Sequence, residues 1–91
     1  MKYQVRQTNL FKRDVKLLAR RGYDISKMDA VINLLAVGKP LPARCEDHAM
    51  TGNWKGFRDC HIAPDWLLIY KIDNNALILA LTRTGTHSDI F

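Results

Sequence analysis

Three strand-like segments separated by very short turns dominate the second half of this chain. Residues 54–62 alternate weakly between apolar and polar side chains, whereas residues 66–72 and 76–83 have strong strand character. The separating segments are Ala63-Pro64-Asp65 and Asp73-Asn74-Asn75. Proline, aspartate and asparagine favour tight turns, and tight turns join antiparallel neighbours. Residues 54–83 are therefore predicted to form a three-stranded antiparallel meander.

The first half of the chain adds one short strand and two helices. Apolar and polar residues alternate over residues 3–7, which predicts a strand that pairs with the same sheet. Two segments with apolar residues at helical spacing follow, one capped by Thr8 or Asn9 and one by Asp24 or Ser26. The βααβββ order predicts one α+β domain over residues 1–91, with both helices packed on one face of an antiparallel sheet.

Basic residues concentrate at the start of the chain. The whole chain has a net charge of +5, and residues 1–21 contain seven basic residues and one acidic residue. A localised cationic element is typical of proteins that contact nucleic acid or an acidic protein, although a solvated helix face has the same composition. The candidate residues for such contacts are Lys12, Arg13, Lys16, Arg20, Arg21 and Lys55. For Lys55, an exposed strand edge is an equally good explanation.

The distribution of apolar residues and cysteines predicts a cytoplasmic protein without a membrane partner. No apolar run approaches the ~20 residues of a membrane span, and the first residues lack the apolar core of a signal peptide. Cys45 and Cys60 are therefore expected to stay reduced. A metal site formed by Cys45, His48, Cys60 and His61 is disfavoured because adjacent strand residues point to opposite faces. Neither a metal nor any other cofactor is expected.

Side chains suited to phosphate chemistry lie near residues 47–66 and after the last strand. His48 and His61 belong to the first group, and Arg83, His87 and Phe91 to the second. Histidine suits proton transfer because its ordinary pKa of ~6.5 lies near neutral pH. Arginine presents a planar, permanently charged fork to phosphate, and an aromatic ring can stack on an unpaired RNA base. Three imidazoles and an arginine in a small basic protein favour RNA cleavage without a metal.

These motifs resemble the YafQ-type branch of the RelE/ParE toxin superfamily, the bacterial mRNA interferases of toxin–antitoxin modules. The resemblance rests on Asp47-His48, Gly52 to Ile62, Pro64 to Lys71 and Arg83 to Phe91. It implies a RelE-like fold and a ribosome-dependent endoribonuclease that cuts translated mRNA, inhibits protein synthesis and is silenced by a cognate antitoxin. It also implies functional roles for His48, His61, Asp65, Arg83, His87 and Phe91.

Specific roles can be assigned within this interpretation. Arg83 is expected to bind the scissile phosphate while the three histidines, gathered around it, share proton transfer, with His87 as general acid. Asp65 is expected to orient an imidazole or a ribose, and Asp59 is a second candidate for that support. Arg58 is expected to be structural because it points to the strand face opposite His61. The antitoxin is expected to be acidic and to fold as it covers the basic surface.

Two other functions remain open. A gyrase-inhibiting toxin of the ParE type would use the same fold and act by binding. A non-catalytic nucleic-acid-binding module would need only the basic first helix. Neither function requires three histidines and an arginine around one site. DNA supercoiling assays compared with mRNA cleavage assays would separate these possibilities.

Overall fold

Five strands form one mixed sheet, and three α-helices accompany it, in a computed structural model that describes all of residues 1–91. The strands are β1 (Gln4–Gln7), β2 (His48–Ala49), β3 (Arg58–Ala63), β4 (Trp66–Asp73) and β5 (Ile78–Gly85). The helices are α1 (Asn9–Arg20), α2 (Ile25–Ala36) and α3 (His87–Ile90). The order across the sheet is β1-β5-β4-β3-β2. The predicted α+β class and the order of its main elements are confirmed.

The first strand joins the sheet as expected, but it lies parallel to β5. Gln4 pairs with Ile78 and Gln7 pairs with Leu81, so the sheet is mixed rather than antiparallel throughout. Parallel neighbours require a long connection. Here the chain between β1 and β5 includes both long helices and the other three strands. Turn residues indicate how neighbouring segments are connected, so they predicted the meander. They carry no information about the pairing of β1 with the distant β5.

The meander forms as predicted, with β3 antiparallel to β4 and β4 antiparallel to β5. Its first strand begins at Arg58 rather than at Trp54. The segment Gly52–Trp54 forms a 3-10 turn, and Gly56 has a φ of 95°. Glycine tolerates this left-handed conformation, which interrupts an extended strand. The segment between α2 and β3 also contains the short strand β2 and a 3-10 turn, Ala43–Cys45.

Both long helices begin at side-chain caps and pack on one face of the sheet. The Thr8 hydroxyl accepts a hydrogen bond from the Phe11 N–H, and the Asp24 carboxylate accepts one from the Ser26 N–H. The buried core joins the helices to the sheet through Phe11, Leu18, Met28, Leu35, Cys60, Leu68, Tyr70, Leu79 and Leu81. Complete burial of a large apolar side chain contributes about 1.5–3 kcal/mol. The predicted packing of two helices on one face is confirmed.

A β-bulge in β5 sets which side chains share the opposite face. Tyr70 pairs with Leu81, but the preceding residue, Ile69, pairs with Arg83, so Thr82 is the extra residue. A bulge of this kind shifts the alternation of side chains by one position. It places Arg83 in register with Ile69 and moves Thr84 into register with buried Leu68.

None of the helices combines the length and apolar character that a membrane crossing requires.

Candidate active site

The three histidines lie around one buried carboxylate, that of Asp59. In the pairing of β2 with β3, His48 lies opposite Asp59, and His48 Nε2 is 3.8 Å from Asp59 Oδ2. His61 lies two residues further along the same face of β3. His87 begins α3, and its ring centroid is 6.0 Å from that of His61. The fold therefore brings together the three imidazoles that the sequence singled out.

Asp59 is an unusual residue to find in this position. It is only 7% exposed, and its Oδ1 atom is buried without a hydrogen-bond partner. Burial raises the pKa of the Asp59 carboxyl, while the charges of His48, His61 and His87 act in the opposite direction. An unsatisfied buried carboxylate is costly. A group of imidazoles that carry protons offers the compensating charge.

Each imidazole is oriented through its Nδ1 atom. His48 Nδ1 is 2.7 Å from the backbone oxygen of Glu46, and His61 Nδ1 is 3.0 Å from the Glu46 carboxylate. His87 Nδ1 is 2.6 Å from Asp65 Oδ1. Carbonyl and carboxylate oxygens only accept hydrogen bonds, so Nδ1 carries a proton in His48 and His87, and in His61 it is the atom that faces the Glu46 carboxylate. The Nε2 atoms are therefore the ones available for proton transfer.

Glu46 contacts two of the three rings, and no sequence pattern pointed to this residue. It follows the 3-10 turn Ala43–Cys45 and adopts the left-handed conformation, with φ 48° and ψ 43°. This conformation costs a residue other than glycine about 1–2 kcal/mol. The strained turn directs the backbone oxygen toward His48 and the side chain toward His61. Only the closeness of Glu46 to His48 in sequence could have drawn attention to it.

Asp65 lies in the turn between β3 and β4 and contacts His87 twice. Its Oδ1 atom accepts a hydrogen bond from the backbone N–H of His87 at 3.1 Å and also contacts Nδ1 of the ring. These hydrogen bonds lower the pKa of the Asp65 carboxyl. The geometry matches the first of the two expected roles for Asp65, the orientation of an imidazole.

The helix that carries His87 is fixed at its start by a capping box and an ion pair. The side chains of Thr86 and Asp89 each accept a hydrogen bond from the other residue's backbone N–H. Arg21, the C-cap residue of α1, donates two hydrogen bonds to the Asp89 carboxylate, with distances of 2.8 and 3.2 Å. The Arg21 guanidinium, with the Thr86 backbone, lowers the pKa of Asp89 to about 2. Arg21, one of the candidate contacts with nucleic acid, forms an ion pair with Asp89 in the structure and remains partly exposed.

Arg83 is also bound internally, through α1 rather than at the imidazoles. Its Nε and Nη2 atoms lie 2.8 and 3.1 Å from the two carboxylate oxygens of Asp14, which also accepts the Thr84 N–H. Only Nη1 of the guanidinium has no partner in the protein. The sequence predicted imidazoles gathered around Arg83, whereas the charged group that interacts with all three rings is the Asp59 carboxylate.

An aromatic surface borders the histidines. Phe91 is 61% exposed, and its ring centroid lies 6.5 Å from that of His87 and 6.2 Å from that of Trp54. Trp66, by contrast, is buried against Tyr23, and its indole N–H donates to the Thr84 hydroxyl at 2.9 Å. The exposed ring of Phe91 is therefore the one placed to stack on a base.

The remaining candidate contacts are exposed cations without internal partners. Five of the candidate residues form no ion pair within the protein, namely Lys12, Arg13, Lys16, Arg20 and Lys55. Arg58, expected to be structural, pairs with Asp47 at 3.3 Å. A partner molecule could therefore reach the basic face of α1 without breaking any ion pair.

The alternative metal set is not assembled by this fold. Cys45 and Cys60 are free thiols buried in the core, and burial raises the pKa of the Cys60 thiol. His61 lies on the other face of β3 from Cys60, as adjacent strand residues must. No group of three or more histidine, cysteine, aspartate or glutamate side chains has an arrangement that could hold a metal ion.

Comparison with known proteins identifies the family. A family model described as "Bacterial toxin of type II toxin-antitoxin system, YafQ" matches residues 3–91. The mRNA interferase toxin YafQ of Escherichia coli K12 is 44% identical over 82 residues, which cover 89% of this chain and 87% of that protein.

Two solved structures have the same fold. A chain of the E. coli DinJ-YafQ toxin-antitoxin complex matches with a TM-score of 0.89 and 39% identity, and the match covers 100% of this chain and 99% of that one. A metal-bound toxin from Helicobacter pylori matches with a TM-score of 0.92 and 36% identity, covering 98% and 99%. This chain belongs to the YafQ family of bacterial toxins from type II toxin–antitoxin systems.

Proposed function

We propose that this protein is an mRNA interferase, an endoribonuclease that cuts mRNA on the translating ribosome and is held inactive by a cognate acidic antitoxin. Family membership and the name of the E. coli relative support the activity. The single observation that carries the mechanism is the arrangement around Asp59. Three imidazoles are held at Nδ1, and their Nε2 atoms remain available beside a buried negative charge.

The reaction is an attack of the RNA 2′-hydroxyl on the adjacent phosphorus. One imidazole Nε2 removes the hydroxyl proton, the P–O5′ bond breaks, and a second imidazole gives a proton to the departing 5′-oxygen. The products are a 2′,3′-cyclic phosphate and a 5′-hydroxyl, so no atoms other than those of the RNA are consumed. General acid and base groups of this kind each contribute about 10²–10⁴ in rate.

We assign the general acid to His87 and the general base to the pair His48 and His61. Asp65 holds His87 at the edge of the site, next to the exposed ring of Phe91. His48 and His61 lie nearer the centre, where Asp59 stabilises the imidazolium that forms when either ring takes a proton. Phe91 stacks on a base, an interaction worth about 1–3 kcal/mol for RNA. Arg83 approaches the phosphate through Nη1.

The partners follow from the exposed cations. Lys12, Arg13, Lys16 and Arg20 form a basic surface on α1 that suits ribosomal RNA phosphates in the active state. The same surface suits an acidic antitoxin in the silenced state, and the E. coli relative assembles with DinJ. An active ribonuclease needs such a partner in the cell that produces it.

His87→Gln tests the proposed chemistry, with Ser88→Ala in the same helix as the control. We expect the glutamine variant to cleave mRNA on programmed ribosomes at least ~100-fold more slowly, because a general acid is lost. The exposed Ser88 makes no side-chain hydrogen bond, so its variant should keep the wild-type rate. A wild-type rate in His87→Gln would overturn the assignment. DNA supercoiling inhibition without mRNA cleavage would instead support a ParE-like toxin.

A further inference from the structure

A depression adjoins the histidine cluster on the side of α2. It has a volume of ≈ 580 Å³ and is lined by His61 and Glu46, by Lys27 and Arg44, and by Ile62 and Pro64 among others. A smaller cavity of ≈ 330 Å³ shares Lys27, Arg44 and Ile62 and extends along α2 to Val31 and Leu34. We call the two together the α2 groove. It runs from a proposed catalytic ring to an apolar helix face.

The cations of the α2 groove differ from the arginines near the histidines. Arg21, Arg58 and Arg83 each pair with an aspartate of the protein. Lys27 and Arg44 are exposed, and neither forms an ion pair. The one carboxylate in the groove, that of Glu46, is engaged with His61. Two uncommitted positive charges therefore border a cavity that opens onto the proposed site of cleavage.

We propose that the α2 groove is a subsite for the nucleotide next to the scissile phosphate. Lys27 and Arg44 bind the phosphate of that nucleotide, and the apolar side chains of Ile62 and Pro64 contact its base or ribose. Cationic grooves with apolar surfaces for the bases are the usual way in which proteins hold single-stranded RNA. The subsite rests on the proposed function, because it presumes that RNA is the substrate.

Position favours RNA over a protein segment as the occupant. The groove shares His61 with the proposed active site, so a strand held for cleavage would continue directly into it. Its volume also falls within the range of about 300–1,000 Å³ that is typical of sites for compact ligands.

The test measures toxin binding to programmed ribosomes whose mRNA carries a 2′-deoxy nucleotide at the cleavage position. We compare the wild type with Lys27→Gln and Arg44→Gln, and with Lys39→Gln as an exposed lysine outside the groove. We expect about 3–10-fold weaker binding for each groove variant, and a salt dependence that is less steep by about 0.7 in log–log slope per lost contact. Lys39→Gln should bind like the wild type.

A second arm locates the contact on the RNA. A neutral methylphosphonate replaces the phosphate on either side of the scissile one. The wild type should bind less tightly when the methylphosphonate occupies one of these positions. At that position the methylphosphonate should weaken the binding of Lys27→Gln and Arg44→Gln only slightly further, because the contact between the phosphate charge and the side chain is already lost. On normal mRNA, the groove variants should show a raised KM with kcat within about twofold of the wild type.

The outcomes separate the subsite from the parent function. Wild-type cleavage together with unchanged RNA affinity in both groove variants would overturn the subsite alone. No cleavage by the wild type on normal mRNA would count against the proposed function, and no binding to the uncleavable mRNA would count against both. Unchanged RNA affinity with weaker binding to the E. coli antitoxin DinJ would assign the groove to a protein partner and overturn the proposal.

Discussion

Asp59 and His48 face each other across the pairing of β3 with β2, with 3.8 Å between the carboxylate Oδ2 and the imidazole Nε2. The other carboxylate oxygen is buried and has no hydrogen-bond partner. A fold gains nothing in stability from such a group. In the proposed mechanism its position beside the imidazoles has a functional explanation, because the carboxylate would stabilise positive charge where a proton is accepted.

Asp59→Asn should therefore reduce activity without reducing stability. We expect single-turnover mRNA cleavage to fall by about 10²-fold, as when one charge-stabilising group is removed from a site. The exposed Asp29→Asn serves as the control and should cleave at the wild-type rate. Wild-type cleavage by Asp59→Asn would contradict the role given to the buried carboxylate.

The stability of the same variant has a defined pH dependence. Burial raises the pKa of Asp59 above its ordinary value of 3.8, so the folded protein binds this proton more tightly than the unfolded chain. Stability is then lost as the pH rises from that ordinary value through the raised pKa. Urea unfolding at pH 7 should give Asp59→Asn a free energy of unfolding equal to or above that of the wild type, with the difference shrinking below pH 4. A marked loss of stability at pH 7 would show that Asp59 is structural.

Arg21 and Asp89 should affect catalysis through the position of α3. Either Arg21→Gln or Asp89→Asn removes the ion pair that fixes the helix carrying His87. We expect both to reduce kcat to a similar extent, with only a small loss of stability because water screens this ion pair. The double variant should be no worse than either single one. If Arg21 instead bound RNA phosphate, only its own substitution would raise KM and weaken the salt dependence.

The same ion pair predicts a response to acid. Because the pKa of Asp89 is lowered to about 2, its contribution to stability is complete above the ordinary carboxyl range. It is lost as the pH falls toward 2. The difference in unfolding free energy between the wild type and Asp89→Asn should therefore be constant from pH 7 to pH 5 and should shrink steadily as the pH falls from about 4 toward 2. A difference that stays constant over that range would point to lost packing instead of lost charge.

Removal of metal ions should leave cleavage unchanged. The proposed mechanism moves protons between imidazoles and RNA oxygens, and no group of three potential ligands is assembled in the fold. We expect protein treated with a chelator, and shown by elemental analysis to be free of metal, to cleave programmed ribosomes within about twofold of the untreated rate. Activity that returned only with a stoichiometric metal ion would contradict the mechanism, and the metal-bound Helicobacter pylori toxin makes this control necessary.

The parts of the fold that depend on local chemistry were predictable. Short turns at Pro64 and Asn74 determined the meander, and the caps at Thr8 and Asp24 determined both long helices. The three histidines could be chosen because imidazoles are rare in this chain and suited to proton transfer. Each of these inferences uses side chains close together in sequence.

The parts that depend on remote contacts were not predictable. Glu46 reaches His61 only because a strained turn meets β3, and Arg83 meets Asp14 only because α1 packs beside β5. The β-bulge in β5 changes the register of Arg83, and no local sequence pattern predicted this bulge. For the same reason the sequence placed Arg83 at the centre of the histidines, where the structure places Asp59.

The identity of the nucleophile tests the central claim most directly. Wild-type protein would be given two ribosome-bound mRNAs that differ only by a 2′-hydroxyl or a 2′-deoxy group at the cleavage position, and the product ends would be read by mass spectrometry. We expect cleavage of the first mRNA alone, with a 2′,3′-cyclic phosphate on the upstream fragment. Equal cleavage of both mRNAs, or an upstream fragment that never carries the cyclic phosphate, would contradict an imidazole-driven transesterification.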